Sequence, residues 1–234
     1  MSSFYRIQLG TSNTYLIQGD SGCILVDAGN PRQEKRFFRH LGQYGLRPGD
    51  VKLIVVTHVH FDHVGSLAAI KAACRCPVMV HEKEYRLLKE AELVFPPGTN
   101  LSGKGTSLVA NRLLGYPPIM KGFKFAPVEA EIVVAGEVSL EEFGVAGRII
   151  PTPGHSAGSL SVLLADGQAF VGDLTANYVP LGLNSAFPPF AEDGDELLES
   201  WMKLLEAGAK TIAPGHGRTF SAEVLREEYS RRKR

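Results

Sequence analysis

No charge of either sign is in excess in this sequence: lysine plus arginine and aspartate plus glutamate each number 25. A strong cationic field that would draw in nucleic acid or an anionic membrane is therefore missing. Cysteine is scarce and odd in number, three in 234 residues, which argues against a disulfide framework. The spacing Cys74-Arg75-Cys76 is also too short for a C-x2-C zinc clip. No apolar run approaches the ~18 residues of a membrane helix, and the start Met1-Ser2-Ser3-Phe4-Tyr5-Arg6-Ile7 lacks a basic segment followed by a long apolar one. Repeats and low-complexity tracts are absent too. A soluble, unexported protein of the reducing cytoplasm is expected. The 44% hydrophobic content rules out a disordered or collagen-like chain, and the length suits one large domain or two small ones.

Short β-branched or aromatic runs at Tyr5 to Leu9, Thr14 to Gln18 and Cys23 to Val26, split by Gly10, Gly19-Asp20 and Gly22, predict an opening antiparallel meander. From Pro31 to Gly45 the helical spacing of Phe37, Phe38, Leu41 and Tyr44 predicts an amphipathic helix, with Pro31 in its first turn. Val51 to Val56 reads as a strand buried on both faces, and Val64 to Ala73 as a helix started at a His-rich turn. Pro77 to Val80 predicts a strand and Glu82 to Leu93 a helix. Residues 94–127 are rich in glycine and proline and lose clear periodicity, as an insertion or lid would. Strand character at Glu131 to Val134, Arg148 to Ile150, Leu160 to Leu164 and Ala169 to Val171 predicts a second sheet. A helix over Glu196 to Ala207, a strand at Thr211 to Ala213 and a helix over Ser221 to Ser230, capped by Ser221, complete the chain.

The chemically informative segment is Thr57-His58-Val59-His60-Phe61-Asp62-His63, directly after the apolar strand. Imidazole nitrogen and carboxylate oxygen are donors that zinc, iron and manganese accept, and residues two apart on an extended loop can aim at one point. A helix cap with solvated histidines does not explain four potential ligands at the end of a buried strand. Further donors stand at other strand ends: His155 in Pro153-Gly154-His155-Ser156, Asp173 in Val171-Gly172-Asp173, and His216 in Pro214-Gly215-His216-Gly217.

The pattern His58-x-His60-x-Asp62-His63, then His155, Asp173 and His216, resembles the metallo-β-lactamase superfamily, specifically its glyoxalase II-like branch. The resemblance extends to Val26-Asp27-Ala28-Gly29, whose Asp27 matches a position that braces the metal loop, and to Asn13-Thr14-Tyr15-Leu16. It implies an α/β (α+β) fold, a four-layer αββα sandwich of one domain over 1–234, with two metal ions at one edge between the sheets. By resemblance His58, His60 and His155 hold the first ion, Asp62, His63 and His216 the second, and Asp173 bridges them. Zinc is the first expectation, with iron and manganese open. Such a pair lowers the pKa of a bridging water toward about 7 and polarises the electrophile's oxygen, which makes the bridging hydroxide the nucleophile. No serine or cysteine nucleophile is then required.

The resemblance narrows the activity. β-Lactamases lack a bridge like Asp173, and glyoxalase II enzymes add a glutathione-holding helical domain for which too little chain follows His216. Homoserine-lactone lactonases carry a tyrosine where Ala176 stands. Flavo-diiron proteins have a glutamate where Val59 sits. A binuclear metallohydrolase acting on a small ester, thioester or lactone is expected, with a small-molecule substrate and no nucleic-acid or membrane partner. The alternative is a mononuclear non-haem iron oxygenase of the persulfide dioxygenase kind on His58, His155 and Asp173, although the Gly-Arg-x-Asp element of those enzymes is missing from 174–187. Tyr178 follows the bridging aspartate and is read either as a proton donor to the leaving group or as a residue packing the loop. His40, His81 and the three cysteines are read as structural, Trp201 as core, and Arg231-Arg232-Lys233-Arg234 as a frayed, solvated tail.

Overall fold

A computed structural model of the protein describes residues 3–113, 122–177 and 186–233. One sheet consists of β1 (Phe4–Leu9), β2 (Ser12–Gln18), β3 (Cys23–Val26), β4 (Val51–Val55), β5 (Val78–His81) and β6 (Ile132–Val134), in that spatial order. β1 to β3 form the antiparallel meander, and β3 to β6 run parallel. Parallel neighbours need crossovers, supplied by α1 (Glu34–Gln43), α2 (Phe61–Val64), α3 (Leu67–Cys74), α4 (Glu82–Glu90) and α5 (Leu101–Leu113).

The second sheet contains β7 (Val138–Ser139), β8 (Gly147–Pro151), β9 (Leu160–Leu164) and β10 (Gln168–Phe170). A two-residue β11 (Ala176–Asn177) and the helix α6 (Gly194–Glu206) follow, then β12 (Thr211–Ala213), β13 (His216–Gly217), β14 (Phe220–Ser221) and α7 (Glu223–Arg232). Its spatial order is β14, β12, β10, β9, β8, β7, while β11 and β13 pair on their own in parallel.

Strand alternation builds the layers. Ile24, Val26, Leu53 and Val55 face Val162, Leu164 and Phe170 between the sheets. Their neighbours Leu25 and Ile54 point the other way, onto Phe37, Leu41, Leu67 and Ile70 of the first helical layer. Leu163, Ala169 and Ile212 meet Leu197, Trp201, Leu204 and Leu225 of the second. Period-two burial on both faces of both sheets gives four layers, the αββα sandwich. Trp201, fully buried, also donates its indole N–H to the Leu174 carbonyl at 2.9 Å.

Several expectations are corrected. The strand at 132–134 joins the first sheet rather than the second: it pairs parallel to β5, and Glu131 accepts both the Val78 N–H and the Lys71 ammonium. α1 begins at Glu34 and not near Pro31, because Arg32 takes a left-handed conformation (φ 65°) that ends any helix there. The helix expected over 64–73 is two, broken at Gly65, where a Cβ would lie 2.1 Å from the Pro31 nitrogen. The 94–127 stretch holds a helix, α5, that its glycines concealed. Ser221 ends a strand, and α7 starts at Glu223, whose N–H the Ser221 hydroxyl accepts at 3.3 Å. The basic tail is helical to Arg232, which pairs with Glu228 and covers the Phe187 ring.

Candidate metal centre

Four strand ends meet at one edge of the sandwich. The segment 57–63 leaves β4 of the first sheet, while His155 follows β8, Asp173 follows β10 and His216 follows β12 of the second. The two sheets are joined at this edge: the Leu160 N–H donates to the Thr57 carbonyl at 2.8 Å, and the Asn13 N–H to the Gly215 carbonyl at 2.7 Å. Donor atoms of His58, His60 and His155 lie within 4.8 Å of one another, as do those of Asp62, His63 and His216. Asp173 stands between the groups, with Oδ1 3.3 Å from His63 Nε2 and Oδ2 3.3 Å from His216 Nε2 and 3.8 Å from His155 Nε2. All seven side chains expected to act together are brought together.

The outward nitrogen of four imidazoles is already engaged. His63 Nδ1 meets Asp27 Oδ2 at 2.8 Å, His155 Nδ1 the Phe190 carbonyl at 2.9 Å, and His216 Nδ1 the Thr11 carbonyl at 3.0 Å. The Thr57 hydroxyl donates to Asp27 Oδ2, so it accepts from His58 Nδ1 at 3.0 Å. Each contact fixes the tautomer and turns Nε2 inward as the lone-pair donor, the usual support of a metal-binding histidine. His60 differs: its Nδ1 faces His155 Nε2 at 3.1 Å.

Burial drives His58 and His155 below the ordinary imidazole range and His60 down to about 3, leaving all three neutral donors. Burial opposes charge at His63 and His216 as well, but carboxylates prevail. Asp173 and Asp27 raise His63, and Asp173 with Asp62 raises His216 to about 10. Burial likewise works against ionising Asp62, yet the His216 hydrogen bond holds it at about 2, and His216 with His63 holds Asp173 well below the carboxylate range.

These residues suit metal ions. His58 Nε2, His63 Nε2 and Asp173 Oδ1 are buried without a hydrogen-bond partner, though they belong to one group of converging donors. A site held by hydrogen bonds alone would leave each such atom unsatisfied at about 1–3 kcal/mol. Imidazole nitrogen with carboxylate oxygen is a donor set for zinc, iron or manganese.

The brace at Asp27 is where the family resemblance put it, but three helpers went unrecognised. Thr57 links Asp27 to His58, and Glu84, buried on α4, accepts the Val59 N–H at 2.8 Å and so holds the loop's backbone. Thr11 sets His216 through its carbonyl, while its hydroxyl donates to Asn30 Oδ1 at 2.9 Å and lies 3.4 Å from Asp62. A threonine beside a histidine and a glutamate on a charged helix give no signal at sequence level. His81 sits apart from the cluster and caps α4, accepting the Lys83 N–H. Cys23, Cys74 and Cys76 are buried and free. Tyr178 lies outside the described residues.

A cavity of about 230 Å³ opens over the cluster, with His60, Asp62, His155, Asp173 and His216 at its floor and phenylalanine and proline prominent in its walls. Among the described residues no helix is long and apolar enough to cross a membrane.

An αββα sandwich with converging histidines and aspartates at one edge defines a metal-binding class of protein. The chain belongs to the metallo-β-lactamase superfamily, whose family model matches residues 7–216. It is similar to the probable metallo-hydrolase MJ0888 of Methanocaldococcus jannaschii, 29% identical over 213 residues and 88% of each chain. The probable metallo-hydrolase YflN of Bacillus subtilis is 26% identical, over 93% of this chain and 84% of its own. Among solved structures, the archaeal superfamily protein ST1585 from Sulfolobus tokodaii aligns with a TM-score of 0.68 at 21% identity, over 100% of this chain and 87% of its own. TTHA1623 in a di-iron-bound form aligns with a TM-score of 0.68 at 24% identity, over 96% of this chain and 98% of its own. These two share the fold.

Proposed function

We propose that the protein is a binuclear metal-dependent hydrolase of a small ester, thioester or lactone. The observation that carries this reading is the pair of three-donor groups, His58/His60/His155 and Asp62/His63/His216, with Asp173 between them. A mononuclear oxygenase site on His58, His155 and Asp173 does not need the second group as ligands, which weakens that alternative. The similarity to proteins named metallo-hydrolases supports the same choice.

When bound, two divalent ions supply a water with its pKa lowered toward about 7 and a Lewis acid for the acyl oxygen. Asp62 and Asp173 remain ionised at neutral pH and contribute two negative charges, which leaves the loaded site cationic enough to stabilise an oxyanion. Thr11 and Asp27 hold His216 and His63 in place through their Nδ1 atoms, and the apolar cavity walls limit bulk water at the reacting carbonyl.

Metal content by plasma mass spectrometry, on protein purified without a metal-binding tag, is the first test, followed by turnover of esters, thioesters and lactones. About two ions per chain and hydrolysis are expected. Asp62→Ala is expected to lose one ion and reduce turnover by about a hundredfold or more with the fold retained; full activity in that variant would overturn the two-metal reading. One iron per chain, with oxygen consumed on persulfides, would replace hydrolysis by the oxygenase reading.

A further inference from the structure

The walls of the cavity over the metal centre differ sharply in character from its floor. Above the histidines and aspartates stand Phe61, Val94, Phe95, Pro96, Pro189 and Phe190, and no lysine or arginine lines the cavity among the described residues. The stretches outside that description, 114–121 and 178–185, include Lys121 as their only charged residue.

These walls are tied together and to the floor. Phe95 and Phe190 meet edge to face at 5.4 Å, and Phe61 meets Phe123 likewise at 4.6 Å. The Thr99 N–H donates to the Pro189 carbonyl at 2.9 Å and the Ala191 N–H to the Pro97 carbonyl at 3.1 Å. Phe190 also presents its carbonyl to His155, so one residue both lines the cavity and orients a metal-facing imidazole. Backbone bonds thus tie together the two segments that carry Phe95 and Phe190.

We propose that the acyl part of the substrate is neutral and apolar, a chain or ring of up to about nine heavy atoms seated against Phe61, Phe95 and Phe190. This rests on the hydrolase reading and gives it a substrate class. An apolar cavity of about 150 Å³ takes up benzene, six heavy atoms, so one of about 230 Å³, whose floor bound ions would share, takes at most roughly half as many again. A remote carboxylate or ammonium on the acyl group would lose its hydration against Phe61, Phe95 and Phe190, walls that offer it no charged partner, a cost that disfavours it there. Water adds across the acyl C–O or C–S bond, the acid leaves with the apolar group, and the alcohol or thiol takes the proton.

The test uses the metal-loaded enzyme and p-nitrophenyl esters from acetate to dodecanoate, with the hemiglutarate ester as the charged acyl group. The value of kcat/KM is expected to rise about fourfold per methylene, to level off by about eight or nine carbons, and to be lower for hemiglutarate than for butanoate. Phe95→Ala is expected to flatten the series, and Phe95→Leu to retain most of it. A flat or falling series, or a preference for hemiglutarate, overturns the apolar acyl site while hydrolysis itself stands.

Binding separates the two readings. Octanamide is expected to bind more tightly than butanamide in calorimetry, by about fourfold per methylene, and Phe95→Ala should weaken it. Equal binding of the two amides overturns the acyl site whatever the esters do. Preferential octanamide binding in an enzyme that hydrolyses none of the esters, thioesters or lactones supports the apolar site and removes the hydrolase reading.

Discussion

Asp27 shows how much one residue contributes to the edge of this sandwich. It adopts a left-handed backbone, φ 61°, after which the chain leaves β3. Its carboxylate accepts the Thr57 N–H and hydroxyl and contacts His63 Nδ1, all at 2.8 Å. Asn tolerates that backbone, so Asp27→Asn keeps the turn but puts an amide where two contacts need a carboxylate. Metal affinity is expected to fall about 10- to 100-fold in competition with a chromophoric chelator, with an unaltered circular dichroism spectrum; unaltered affinity would show that the brace is dispensable. A second expectation concerns protons. His63 and His216 are raised, His216 to about 10, so in metal-stripped protein at neutral pH both carry protons that an ion must displace. Zinc addition should release roughly two protons, read by calorimetry in buffers of differing ionisation heat. Because protons compete with the ion, affinity should climb as pH rises toward about 10. Zinc uptake without proton release would contradict the charges assigned to these imidazoles. The seven donors were legible because their residue types and spacing have no other ready use, and Asp27 only through the resemblance of Val26-Asp27-Ala28-Gly29 to the family. Thr57 and Glu84 were not, since their roles are bonds across 30 and 25 positions of sequence.

Loops and helix ends fix the donors at the next scale up. Gly215 precedes His216, and a Cβ there would lie 2.4 Å from Asp173 Oδ1 and 2.7 Å from His63 Cε1. Gly215→Ala should displace the Asp173 carboxylate and lower hydrolysis about a hundredfold. Overpacking against the buried His63 ring should also cost about 1–3 kcal/mol of stability, although the backbone there does not need a left-handed conformation. Wild-type turnover in this variant would mean that Asp173 tolerates displacement. On the opposite side, Asp193 caps α6 by accepting the Asp195 and Glu196 N–H groups, and its own N–H donates to the Gly154 carbonyl. Asp193→Ala should cost about 1 kcal/mol in urea unfolding. Elements with strong local periodicity were readable from sequence: β3, β9 and β12 have the predicted bounds. The partner of β6 was not, because pairing across α4 and α5 leaves no local mark. α5 was hidden for a related reason. Gly103, a residue type that usually signals a turn, is needed inside that helix where a Cβ would lie 2.1 Å from the Pro189 carbonyl.

Across the whole molecule, the donor set straddles the two sheets. His58, His60, Asp62 and His63 follow β4 of the first, and His155, Asp173 and His216 follow strands of the second. Ions bound there join the halves of the sandwich, and an unfolded chain, with its donors far apart, cannot hold them comparably. Ligand binding to the native state alone adds RT ln(1 + [L]/Kd) per ion. Each tenfold rise in free metal above saturation should then add about 1.4 kcal/mol per ion to unfolding, and about twice that if two ions leave together. Chelation should lower the melting temperature, and unfolding free energy measured in metal-buffered solutions should rise with the logarithm of free zinc. A slope near the two-ion value agrees with the grouping of donors around Asp173. The single-ion slope would mean that one group binds while the other only positions its neighbours. No dependence, with metal analysis showing that the ion had been removed, would mean that the hydrophobic contact between the sheets, Val55 and Leu53 on Val162 and Phe170, holds the edge without any contribution from the donors.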